Sequence, residues 1–94
     1  MEIKKIEKGT EGLIAGYDGD ERTGYISYVW ESDEVMNIQH TVVAPKHEGK
    51  GVASALFNYA VDFARQNNKK IQTSCSFVQA KLNKNDAYND VKAK

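Results

Sequence analysis

The residues whose types could do chemistry are a single cysteine, two histidines and a loop containing two glycines. Cys75 could be a nucleophile, because a thiolate where a strand meets a helix start is favoured by the positive end of the helix dipole. It equally fits a small buried thiol on the face of Ile71. His40 could be a base that deprotonates Cys75 or an acceptor amine. Its place beside Ile38 and Val42 in an alternating run also fits a hydrogen-bonded core imidazole. His47 falls in a loop, in solvent or beside a bound phosphate. Tyr17, Tyr59 and Tyr88 are further candidate proton donors.

The loop reads Val43-Ala44-Pro45-Lys46-His47-Glu48-Gly49-Lys50-Gly51-Val52-Ala53 and passes from a strand end straight into an amphipathic helix. Gly49 and Gly51 permit backbone conformations barred to other residues and let a ligand come close. No Ser, Thr, Asp or Asn caps the helix start, so its first N–H groups stay free at the positive end of the dipole. Such an arrangement is an anion nest suited to a diphosphate, with Lys46 and Lys50 adding charge at its mouth. A plain strand-to-helix turn would use the same glycines. The spacing is not that of a P-loop, and the third glycine of a dinucleotide fingerprint is missing.

The elements that must position these groups can be read from periodicity. An apolar run at 13–17, turn chemistry at Asp18-Gly19-Asp20 and a β-branched and aromatic run at 23–30 predict an antiparallel hairpin. Tyr25 faces one side of it, and Tyr28 and Trp30 the other. A second turn at 31–34 leads to a strand over 35–43, in which Met36, Ile38, His40 and Val42 are expected on one face. Residues 3–6 suggest a short edge strand guarded by Lys4 and Lys5. Residues 52–67 change to a helical period, with Val52, Ala53, Leu56, Phe57, Ala60, Phe63 and Ala64 on one stripe. A strand at 70–75 follows, and a right-handed crossover makes it parallel to 35–43. Ser76-Phe77-Val78-Gln79 fits a capping box that opens a short second helix. The tail beyond Lys84 is polar except for Tyr88 and Val91.

With 94 residues the chain has material for one core and one domain, 1–94. Its 40% hydrophobic and 28% charged content is that of a globular protein and argues against disorder. One cysteine cannot form an internal disulfide, and the histidine spacing gives no metal finger, so no metal is expected. Thirteen basic residues balance thirteen acidic ones, which removes the electrostatic argument for nucleic acid. The charges are unevenly spread: residues 1–45 hold four basic and nine acidic side chains, and 46–94 hold nine and four. This fits either a basic end that receives an anion or an ordinary solvated surface. There is no long apolar run and no signal-peptide pattern at Met1-Glu2-Ile3-Lys4-Lys5, so membrane insertion is not expected and cytoplasm is the default location.

The glycine loop resembles the signature Gln/Arg-x-x-Gly-x-Gly/Ala of the GCN5-related N-acetyltransferases. Gly51 and Ala53 fall on its glycine and alanine positions, and Val43-x-Pro45 precedes it at the usual distance. The likeness extends to a very small acetyltransferase-like subfamily, the YjdJ type. His40-Thr41-Val42-Val43-Ala44-Pro45, Glu48 to Ala53, Cys75-Ser76-Phe77 and Asn85-Asp86-Ala87-Tyr88 stand in order along most of the chain. Three positions depart from the pattern. Glu48 replaces Gln or Arg and would repel a diphosphate unless it turns to solvent, Ser76 replaces a proline, and Asn85-Asp86 replaces His-Pro.

What the resemblance implies is an α/β (α+β) fold: a mostly antiparallel sheet, one long helix crossing to a parallel, splayed last strand, and a short C-terminal helix. It implies acetyl-CoA or coenzyme A in the gap between the two splayed strands. The pantetheine would pair near Val42, Val43 and Ala44, and the diphosphate would sit on Glu48, Gly49, Lys50, Gly51, Val52 and Ala53. The thioester would lie within reach of Cys75, with His40 as the candidate base. Either an acetyl group passes to an amine or protein acceptor, by way of an acetyl-cysteine, or the domain only captures the coenzyme. The chain has no room for the segments that form the acceptor site in full-length acetyltransferases, so the acceptor pocket could need another protein.

Overall fold

The computed structural model describes residues 1–93. Four strands run in sequence order as an antiparallel meander: β1 (Glu2–Lys8), β2 (Glu11–Asp18), β3 (Glu21–Trp30) and β4 (Val35–Val43). A short 3-10 turn, Pro45–His47, leads to helix α1 (Val52–Gln66), and the chain returns as β5 (Lys70–Thr73), parallel to β4. Helix α2 (Ser76–Asn83) and a second 3-10 turn, Asp86–Tyr88, complete a mixed five-stranded α+β architecture. The expected hairpin, crossover and edge strand are all present. The edge strand is longer than its weak sequence signal, because Gly9 adopts a positive φ of 62° and closes a hairpin between β1 and β2. No helix among the described residues is long and apolar enough to cross a membrane.

Both helices cover the same face of the sheet. Cross-strand partners Ile14 and Ile26, and Tyr28 and Ile38, set the floor of the core; Leu56, Phe57, Ala60, Val61 and Ala64 of α1 and Val78 and Leu82 of α2 pack upon it. Burying a side chain such as Leu56 stabilises the fold by about 2 kcal/mol. The helix ends at Asn67, and Asn68 takes the left-handed conformation that a helix stop needs. Behind it, the tail docks on β5. Val91 is buried, its carbonyl accepts from the Ile71 amide at 2.6 Å, and Tyr88 meets Phe57 edge-on at 5.2 Å. Asn85, where the resemblance wants histidine, accepts from the Ala87 amide at 2.8 Å and so shapes the turn that delivers Tyr88.

Strand β4 departs from the expected alternation. Tyr28 pairs with Ile38 but Ser27 pairs with His40, so Gln39 is one residue extra in the ladder. A bulge of this kind reverses the faces of everything beyond it. Met36 and Ile38 are buried toward the helices, as expected. Beyond Gln39 it is Thr41, opposite Ile26, and Val43, opposite Gly24, that turn inward. His40 and Val42 turn to the uncovered face of the sheet and are exposed. His40 is therefore not a core imidazole, and the period-2 pattern was misleading from that residue on.

Candidate functional site

Pairing between β4 and β5 stops early. It runs from Val35 with Lys70 to Ile38 with Thr73, after which β5 ends and β4 continues alone to Val43. The Thr73 hydroxyl donates to the Ile38 carbonyl at 2.8 Å and accepts from the Cys75 amide at 2.9 Å, which ties the departing chain to the point of separation. Beyond that point the outer edge of β4 has no strand partner among the described residues. The Ala44 amide donates to Thr23 at 2.9 Å, so by antiparallel alternation the backbone groups of Val43 and Thr41 point outward, to the side β5 has left, whereas those of Val42 and Ala44 serve the ladder with β3.

The glycine loop lies at the end of this edge. Gly49 and Gly51 have φ of 78° and 79°, and nothing stands within 4 Å of where a Cβ would project from either. Both residues thus answer to backbone conformation and not to crowding. Gly51 is the residue before α1; no side chain caps it and no acidic residue occupies the first turn. Val52, Ala53 and Ser54, the first residues of α1, line a pocket of about 150 Å³ that Val43, His47, Glu48, Gly49 and Gly51 complete. Lys46 pairs with Glu21 at 3.2 Å, and Lys50 does not line the pocket.

His47 is buried, at 5% exposure, and not in solvent. Its Nε2 meets Glu21 and its Nδ1 lies 3.8 Å from Asp18, both at the tip of the hairpin between β2 and β3. The His47 ring and the Lys46 ammonium hold the Glu21 carboxyl below its usual range. The imidazole therefore anchors the loop to the hairpin while forming one wall of the pocket. Sequence spacing could not reveal this, since Asp18 and Glu21 read as ordinary turn residues.

Cys75 is half-buried at the junction of β5 and α2. It occupies the capping position itself, with Ser76 as the first helical residue, so the expected serine cap is displaced by one. Its Sγ lies 3.5 Å from Thr41 Oγ1. Burial pushes the thiol up, but the Thr41 hydroxyl and the backbone amides of Val78, Phe77 and Thr41 outweigh it and draw it below the usual thiol range. Thr41 was missed as a site residue because the uninterrupted alternation points it away from the helices. His40 lies on the opposite face of the sheet from Cys75 and Thr41, so the structure does not bring the two expected catalytic residues together.

Several larger hollows lie elsewhere. One of about 350 Å³ sits over Ile6, Leu13, Ser27 and Val29 on the uncovered face, and another of about 680 Å³ lies between Glu7, Trp30 and Lys69. Neither borders Cys75 or the glycine loop.

Residues 14–91 match the family described as GCN5-related N-acetyl-transferase. A GCN5-like protein from Staphylococcus aureus, solved in solution by NMR, is 37% identical, with 98% of this chain and 87% of that one aligned at a TM-score of 0.71. The ribosomal-protein-alanine N-acetyltransferase of Brucella melitensis biovar Abortus 2308 shares the fold at 19% identity and a TM-score of 0.61, over 90% of this chain and 62% of its own length. A GNAT-family crystal structure from Desulfovibrio desulfuricans does so at 18% and 0.60, over 68% and 43%. No curated protein matches the chain.

Proposed function

This chain belongs to the GCN5-related N-acetyltransferases, and we propose that it binds acetyl-CoA across the end of β4 and the mouth of α1 and moves the acetyl group through Cys75 to an amine or protein acceptor. The observation that carries this reading is the uncapped helix start behind two left-handed glycines, opening on a pocket at the end of an unpaired strand edge. Free amides at that mouth suit the paired phosphates of the coenzyme. The outward backbone groups of Val43 and the outward carbonyl of Thr41 suit the amides of its pantetheine arm, in the manner of an added strand. An arm laid along that edge from the loop runs back toward Thr41, beside which Cys75 stands.

The transfer is a thioester exchange. The Cys75 thiolate attacks the acetyl carbonyl, the carbon–sulfur bond to the coenzyme breaks as the bond to Sγ forms, and the coenzyme leaves as a thiolate that takes a proton from solvent. A neutral amine acceptor would then attack the acetyl-cysteine carbonyl, the bond to Sγ would break as the amide forms, and the Cys75 thiolate would be returned with the amine's proton passing to solvent.

A second reading, capture of the coenzyme without transfer, is favoured by Glu48 in the pocket wall and by Glu21 holding Lys46. Intact-protein mass after mixing with acetyl-CoA separates the two. Covalent transfer predicts a gain of one acetyl group that disappears in Cys75→Ala, while the binding module predicts amide shifts at Gly49 to Ala53 and no mass change. Absence of both shifts and calorimetric heat with coenzyme A would reject both readings.

A further inference from the structure

We propose that Thr41 is a positioning residue for Cys75: its hydroxyl accepts from the thiol and donates to the thiolate, holding the sulfur where β4 and β5 part. The proposal deepens the acetyl-cysteine reading and rests on it for its role in transfer, but not for the contact itself. The contact is a product of the bulge. Without Gln39 as an extra residue, Thr41 would face away from the helices and His40 or Val42 would take the inward place. With it, Oγ1 comes to 3.5 Å from Sγ and has no other partner among the described residues. The neighbouring hydroxyl cannot substitute, because Thr73 Oγ1 already donates to Ile38 and accepts from the Cys75 amide.

The groups acting on the sulfur are thus few. From β4 they are the hydroxyl and amide of Thr41, and from α2 the amides of Phe77 and Val78. Lys81 of α2 lies over the rings of Phe57 and Phe77, and His40 is on the other face of the sheet. A hydroxyl that can both donate and accept a hydrogen bond serves either state of the sulfur, whereas a methyl group serves neither.

The test is the pH profile of Cys75 alkylation by iodoacetamide, which needs no coenzyme, measured on wild type, Thr41→Val and Thr41→Ser. We expect Thr41→Val to move the midpoint upward by about one pH unit, which is about tenfold less thiolate at neutral pH, and Thr41→Ser to stay near wild type. Thr41→Ala replaces the valine variant if that one does not fold. Coincident profiles for wild type and the hydroxyl-free variant, or a serine variant that behaves like valine, would overturn the proposal. Acetyl-CoA labelling is followed in parallel: a Thr41-dependent profile with no acetyl gain sinks the transfer reading and leaves the positioning role, while acetyl gain with coincident profiles does the reverse.

Discussion

At the scale of single residues, carboxylates do opposite things in the two halves of the molecule. Glu7 accepts from Trp30 Nε1 at 2.7 Å and from the Tyr28 hydroxyl at 2.8 Å, and these bonds, Trp30 first, lower its carboxyl below the usual range. Burial and the same carboxylate push the Tyr28 phenol up, so it remains a neutral donor. A carboxyl lowered by folding adds stability above its unfolded value and loses it as pH falls through the folded one. Glu7→Gln should therefore cost about 1–2 kcal/mol near neutral pH and flatten the acid limb of the stability curve, as urea titration between pH 3 and 7 would read. Glu48 works against its surroundings. It stands in the wall of a pocket suited to anions, and removing its charge with Glu48→Gln should tighten coenzyme A binding by about three- to tenfold at low salt. The gain should shrink as salt rises. Calorimetry at two ionic strengths checks both parts; unchanged affinity would place the Glu48 carboxylate away from the phosphates.

At the scale of elements, the loop before α1 depends on backbone conformations that a side chain resists. Gly51→Ala places a Cβ at φ 79° with open space around it, so the cost is conformational, about 1–2 kcal/mol, and is not a clash. Gly9→Ala in the turn between β1 and β2 makes a matched control, with φ 62° and equally open space. Both variants should lose similar stability in thermal melts, but only Gly51→Ala should weaken coenzyme A binding, because only there does the Cβ project at the helix mouth. Equal affinity in the two would remove the loop from the binding site. The bulge in β4 acts on the same principle of local geometry. One extra residue decides that a hydroxyl and not an imidazole meets Cys75.

At the scale of the whole molecule, the sheet carries both helices on one face and leaves the other bare, with Ile6 46% and Val42 41% exposed on it. Its last strand is held between β4 on one side and the tail at Val91 and Ala93 on the other. Arg65 ties that tail to α1 through Asp90 at 2.7 Å, and the ion pair lowers the Asp90 carboxyl. The residues alone determined the order of the elements, the crossover to a parallel last strand and the glycine mouth of α1, because periods of 2 and 3.6 and the absence of a cap are properties of adjacent positions. They also brought out Cys75 at a helix start, which needs only a strand pattern followed by a helix pattern. Tertiary structure alone decided which way His40 and Thr41 face, since a bulge exists only relative to a partner strand. It decided likewise that His47 is buried, because its anchors, Asp18 and Glu21, lie on a hairpin that folding brings alongside. Contacts between positions distant in the chain leave no period behind them, and the site's working partners are contacts of that kind.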